Sequence, residues 1–190
     1  MNYDLSIPGW MEPDELQWLY DRASEMDSVV EIGCYQGRST FALLQGCKGP
    51  VYAVDPWIDI MRNGSDNLAL FLANLCRRLD LSAWRRLIPV LLPSAEAALA
   101  VDAHARSRFD MVFIDGDHSH TARRRNLGEE VFISYESVKQ DIELWLPKTR
   151  KLICGHDFGN PDYPGVEKAV VERFGDAVTR GPGLIWSVRL

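Results

Sequence analysis

The 190-residue sequence predicts an α/β fold, a doubly wound, mostly parallel sheet that ends in an antiparallel hairpin. Three observations carry this. Short apolar, β-rich runs recur along the chain, apolar residues at helical spacing fill the intervals between them, and Gly181-Pro182-Gly183 turns the chain between the last two runs. Strands alternating with helices form a parallel sheet covered on both faces, whereas two runs joined by a tight Gly/Pro turn form a hairpin.

An opening segment with Leu16, Leu19, Tyr20 and Ala23 at helical spacing is an amphipathic helix, placed to cover either the functional site or a sheet edge. The strands follow at 28–33, 51–54, 87–91, 109–114, 151–154 and 184–188. Between the second and third, Leu68, Phe71, Leu72, Leu75 and Leu79 make a core-facing stripe, which leaves Arg77, Arg78 and Asp80 for solvent. A helix at 135–145 presents Val138, Ile142 and Trp145, and another spans 165–174 before the hairpin of 177–179 and 184–188. No repeat, linker or low-complexity tract interrupts the chain, so residues 1–190 read as one domain.

Composition narrows the function. The net charge of −6 and pI near 5.2 give no broad positive field for tracking phosphates, so a small-molecule partner is expected rather than nucleic acid. Cys34, Cys47, Cys76 and Cys154 are scattered without a CxxC pair and read as reduced thiols. No apolar run approaches a membrane span, and the first ten residues lack the pattern of a signal peptide, so a cytoplasmic location is expected. A homo-oligomer is compatible with this reading.

The strongest local signal is Val29-Val30-Glu31-Ile32-Gly33-Cys34-Tyr35-Gln36-Gly37-Arg38-Ser39-Thr40, a buried strand running through a glycine-bearing turn into a helix. Gly33 and Gly37 permit close backbone approach, and the helix that follows offers unpaired N–H groups to an anion or dipole. Asp55 ends the next strand 22 residues after Gly33, a separation suited to accepting hydrogen bonds from ribose hydroxyls. Together they imply an adenosine ligand. Trp57 either flanks the adenine or belongs to the core.

These residues resemble the class I S-adenosylmethionine-dependent methyltransferases. Glu31-x-Gly33-x-x-x-Gly37 is similar to their first motif, Val54-Asp55 to their second, and Leu92-Pro93-Ser94-Ala95 to the segment beside adenine. Ile114-Asp115-Gly116-Asp117-His118, Tyr135-Glu136-Ser137-Val138-Lys139-Gln140-Asp141, His156-Asp157-Phe158 and Pro164-Gly165-Val166 resemble the methyltransferase 24 subgroup. The resemblance implies a Rossmann-like sheet and places the cofactor against Glu31, Gly33, Tyr35, Gln36, Gly37, Ser39, Thr40, Asp55, Trp57, Ser94, Ala95 and Asp115. It implies methyl transfer to a hydroxyl of a small molecule such as a sugar, phenol or natural product. A nicotinamide-dependent oxidoreductase is the rival, although the loop lacks the central glycine of G-x-G-x-x-G. A domain that binds the cofactor without catalysis is another.

Asp115, Asp117 and His118 emerge after the fourth strand, and His156 and Asp157 after the fifth, so five ionisable groups converge on one region. By resemblance to catechol-type O-methyltransferases, Asp115, His156 and Asp157 would hold a divalent ion. His118 stands near the position of the base, and Asp115 joins it as a catalytic candidate. A histidine ligand shifts preference from Mg²⁺ toward a transition metal. His120 and His104 read as surface residues. The subgroup pattern would run directly from Ser119 to Tyr135, so residues 120–134, with Arg123-Arg124-Arg125 and Glu129-Glu130, read as an insertion near the cleft.

Overall fold

The computed structural model describes residues 2–57, 66–104, 108–116 and 133–190, with backbone alone at 102–104 and 133. The elements in chain order are α1 (Pro13–Ala23), β1 (Val29–Ile32), α2 (Arg38–Gly46), β2 (Val51–Val54), α3 (Asn67–Cys76), α4 (Leu81–Trp84), β3 (Leu87–Val90) and α5 (Ser94–His104). They continue with β4 (Phe109–Ile114), α6 (Ile133–Trp145), β5 (Thr149–Gly155), α7 (Pro164–Phe174), β6 (Thr179–Arg180) and β7 (Trp186–Arg189). The seven strands form one sheet in the order β3-β2-β1-β4-β5-β7-β6. β1 through β5 run parallel, and β7 pairs antiparallel with both β5 and β6, as the terminal hairpin requires.

Every residue of β1 and β4 is buried, the signature of parallel strands covered on both faces. Alternate side chains divide between two cores. Val29, Met111 and Phe113 pack with Leu16, Leu19, Leu43 and Phe71 on one face, while Val30, Val112 and Ile114 pack with Ala97, Val138, Ile142, Trp145 and Val166 on the other. Among the described residues no helix is long and apolar enough to cross a membrane. The cysteines are free, and all but Cys76 are buried.

Several local expectations change. Arg78 is engaged rather than left to solvent: its guanidinium donates to Asp4 Oδ2 (2.5 Å), the Asn74 carbonyl (2.9 Å) and Ser6 Oγ (2.7 Å), tying the N-terminal segment to α3. Asp80 caps α4 by accepting the Ala83 N–H, so the helix that carries Phe71 ends before Leu79. The last strand begins at Trp186, two residues later than expected, because the Leu184 N–H turns to the Glu15 carboxylate. Ile133 and Ser134, counted with the insertion on the sequence pattern, lie in the first turn of α6. Ser134 is buried there against α7, where a Cβ on Gly165 would come within 2.4 Å of its Oγ. Residues 120–132 of that insertion lie outside the described residues.

Away from the carboxyl ends of the strands, the fully buried Asp110 carboxylate accepts the Asp27 N–H (2.9 Å), Arg150 Nε (2.7 Å) and Lys151 Nζ (2.8 Å). Burial disfavours its charge, yet hydrogen bonds from Lys151, the Asp27 N–H and Arg150 hold its pKa below the ordinary carboxylate value. A folded pKa below the unfolded one stabilises the fold above the unfolded pKa and loses that contribution as pH falls through the folded value. Asp110→Ala should therefore lower stability in urea by about 1–3 kcal/mol at pH 7 and by progressively less in acid. A pH-independent difference would remove Asp110 from the acid response.

Candidate active site

The chain reverses its direction of winding between β1 and β4, and the crevice beyond the carboxyl ends of these strands is where an open α/β sheet binds ligands. The Gly33 and Asp115 backbones meet there so closely that a Cβ on Gly33, at φ +84°, would lie 2.0 Å from the Asp115 carbonyl oxygen. Glycine is required by both the conformation and the contact. Gly37 has φ 93° and is the N-cap of α2. A cavity of about 540 Å³ opens at this point, lined by Gly33, Cys34, Tyr35, Arg38, Ser39, Asp55, Trp57, Asn67, Asp115, Gly116, His156 and Asp157 among others.

Asp55 organises the glycine loop. Its Oδ2 accepts the N–H groups of Cys34 (2.9 Å) and Tyr35 (3.0 Å), and its Oδ1 accepts that of Trp57 (2.6 Å). Trp57 Nε1 donates back to the Tyr35 carbonyl at 2.9 Å, while its ring packs against Phe71 at 4.8 Å. Trp57 belongs to the core, as one of its two sequence alternatives had it, and it also lines the cavity. Tyr35 and Trp57 have φ of 45° and 46°, and Asp157 has 60°; among the described residues these are the non-glycine positions with positive φ, and all three line the cavity.

Other predicted loop residues support the site from beneath. Glu31 is fully buried under the loop rather than lining the cavity, and Thr40 Oγ1 donates to its Oε2 at 2.5 Å. Burial pushes its carboxyl up to about 7 against hydrogen bonds from Ser39 and Thr40, and its Oε1 has no hydrogen-bond partner among the described residues. Gln36 turns inward, with Nε2 donating to Asn67 Oδ1. Ser94 and Ala95 open α5 without lining the cavity. The Ser94 hydroxyl is committed to α6, donating to Asp141 Oδ1 (2.5 Å) and accepting Trp145 Nε1 (2.9 Å). His118 and Asp117 lie outside the described residues.

The structure brings Asp115, His156 and Asp157 together, each offering one donor atom within 4.8 Å of the others. His156 Nδ1 is 3.6 Å from Asp115 Oδ1 and 3.5 Å from Asp157 Oδ1. Its Nε2 is 3.0 Å from Oε1 of Glu15, a residue the sequence reading missed. Burial works against charge on the ring, but Asp115, Glu15 and Asp157 raise its pKa to about 9, while burial lifts Asp115 to about 6. Glu15 carried a readable signal, because Glu15, Leu19 and Ala23 share one buried stripe of α1 on which an acidic residue needs a partner.

The segment before α1 was also missed. Pro8, Gly9, Trp10 and Met11 form one wall, where Trp10, 69% exposed, lies 4.9 Å from the Tyr35 ring. Arg38 fixes the segment by donating to the carbonyls of Ile7 (2.6 Å), Met11 (3.1 Å) and Leu5 (3.3 Å). Asn160, Asp162, Tyr163 and Leu184 supply part of the lining near the carboxyl end of β5.

Comparison with known proteins agrees with this fold. The structure resembles an O-methyltransferase from Bacillus cereus in complex with S-adenosylhomocysteine, with TM-score 0.67 and 17% identity over 97% of this chain and 85% of that one. It also resembles TomG of Streptomyces achromogenes, involved in tomaymycin synthesis and in complex with S-adenosylmethionine, with TM-score 0.66 and 13% identity over 95% and 81% of the two chains. A cofactor-bound protein from MTB, Rv0187, gives TM-score 0.66 and 18% identity over 96% and 83%. No curated protein matches the chain. The methyltransferase-domain family, methyltransferase 24, matches residues 30–158, from within β1 to just beyond β5, and the chain therefore belongs to this family of class I S-adenosylmethionine-dependent methyltransferases.

Proposed function

We propose that the protein methylates a hydroxyl oxygen of a small molecule, with a divalent ion held by Asp115, His156 and Asp157. The observation that carries the proposal is the convergence of those three side chains on the cavity bordered by the glycine loop. Two donors on one first-row ion at about 2.1 Å stand roughly 3.0–3.4 Å apart at octahedral or tetrahedral angles, close to the 3.5 and 3.6 Å seen around Nδ1. The charge balance agrees: three carboxylates, Glu15 included, face one imidazole, and a cation offsets what a single imidazolium cannot. One nitrogen with two oxygen donors favours a transition metal over Mg²⁺.

When bound, S-adenosylmethionine supplies the methyl group, and the divalent ion lowers the pKa of the acceptor hydroxyl and orients it. The protein's own residues do the positioning. Of the roughly four acceptor sites on a carboxylate, Asp55 uses three for backbone N–H groups, which leaves one on Oδ1 for a ribose hydroxyl. Gly33 and the αL start of α2 allow the loop backbone to approach the cofactor's amino-acid end. Tyr35 occupies the place where a nicotinamide-binding loop needs its central glycine, and its ring contact with Trp10 crowds a pyrophosphate approach. His118, two residues beyond Gly116, takes the acceptor's proton. Walls of Trp10, Tyr35, Trp57 and Tyr163 suit a flat hydroxylated ring, such as a phenolic natural product.

Calorimetry should detect S-adenosylhomocysteine and no NAD; tight NAD binding without a response to the sulfonium cofactor would overturn the assignment. Asp55→Ala should weaken S-adenosylhomocysteine by about 1–3 kcal/mol, through loss of a charge-assisted hydrogen bond. Unchanged affinity removes Asp55 from the cofactor site. A strong chelator should abolish methyl transfer to a catechol probe while leaving the thermal transition in place, and added Co²⁺ or Mn²⁺ should restore it. Full turnover in chelator counts against the ion, and binding without any turnover counts against catalysis.

A further inference from the structure

We infer that Glu15 is a positioning residue for the cation site: it holds His156 in the tautomer whose Nδ1 lone pair faces Asp115 and Asp157, an assignment that rests on the metal reading above. Glu15 lies on α1, outside the matched span 30–158, and is 2% exposed. Its Oε2 accepts the Glu12 N–H at 2.7 Å, and its Oε1 accepts both the Leu184 N–H at 2.8 Å and His156 Nε2–H at 3.0 Å.

The chemistry is restrictive. An ionised carboxylate only accepts hydrogen bonds, so the ring nitrogen facing Glu15 has to carry the proton. In the neutral imidazole the other nitrogen, Nδ1, is then the lone pair, and it lies 3.6 Å from Asp115 Oδ1 and 3.5 Å from Asp157 Oδ1. A carboxylate behind the far nitrogen of a metal-binding histidine fixes ring orientation and raises ligand basicity. The packing reserves the place. A Cβ on Gly183 would lie 2.3 Å from Glu15 Oε1, so the turn before β7 can approach the carboxylate only because residue 183 is glycine. The N-terminal helix and the C-terminal hairpin thus meet behind one ligand.

The test uses the full chain with Co²⁺ as probe, followed by calorimetry and visible absorption. Wild type should bind, and Glu15→Ala should bind about 10–100-fold more weakly. Glu15→Gln, which keeps an acceptor for Leu184 and His156 but loses the charge, should fall between them. S-adenosylhomocysteine affinity should change less than about twofold, because Glu15 does not line the cavity. Histidine ¹⁵N spectra at a pH where the ring is neutral should show Nε2 protonated in metal-free wild type and a tautomer mixture in Glu15→Ala. Folded variants with wild-type Co²⁺ affinity and an unchanged tautomer overturn the role of Glu15 alone. A wild-type chain that takes up no Co²⁺ overturns the metal reading and this inference with it. If the alanine variant does not fold, the glutamine variant decides by the same two readouts.

Discussion

The cleft beyond the parallel strands depends on one carboxylate, Asp55, that accepts three backbone hydrogen bonds at the ends of β1 and β2. A turn that holds Tyr35 and Trp57 in left-handed backbone conformations costs about 1–3 kcal/mol at each position and persists only where its surroundings over-determine it. Asp55 supplies that determination, because it binds the N–H of both strained residues. The Trp57 indole closes the circuit by donating to the Tyr35 carbonyl. Loop geometry at the ends of both strands is therefore held by one side chain, so a change at Asp55 acts on Cys34, Tyr35 and Trp57 together.

A second constraint operates across the crevice, where charge rather than backbone strain has to be balanced. Asp115 and Asp157 face Nδ1 of His156 while Glu15 faces Nε2, so the ring lies between carboxylates on both sides. Burial penalises each of these charges, and mutual hydrogen bonding alone leaves the group net negative. Glu31, deeper under the loop, is held differently: burial pushes its carboxyl up to about 7, against hydrogen bonds from Ser39 and Thr40 that hold it down.

The strand pattern and the glycine loop were legible because they follow from local rules. Buried parallel strands read as continuous apolar runs, and Gly33, Gly37 and Asp55 occupy spacings set by the strand-to-helix turn. Strand ends brought Asp115, His156 and Asp157 to one place by topology alone. What could not be read was tertiary. Arg78 looked like a solvent-facing residue, since nothing in the α3 pattern reveals that Asp4 and Ser6 lie beside it. Ser94 was read from its motif alone, which does not reveal that its hydroxyl bonds Asp141 and Trp145 on α6. Ser134 looked like part of an insertion, because the close packing of α6 on α7 at Gly165 leaves no local trace.

Glu15 shows where a middle course existed. Helical periodicity placed it on the same face as Leu19 and Ala23, and an acid on a buried stripe announces a partner without naming it. The partner lies 141 residues away, just past the end of the last parallel strand, and the Leu184 N–H that shares the carboxylate lies 169 residues away. Contacts of that sequence separation form only once the sheet is assembled, since loop closure has to precede them. The fold thereby makes the geometry around His156 contingent on completion of both chain ends. The methyltransferase motifs at 30–158 carry Asp115, His156 and Asp157, and a segment outside that span supplies the carboxylate that faces His156 Nε2.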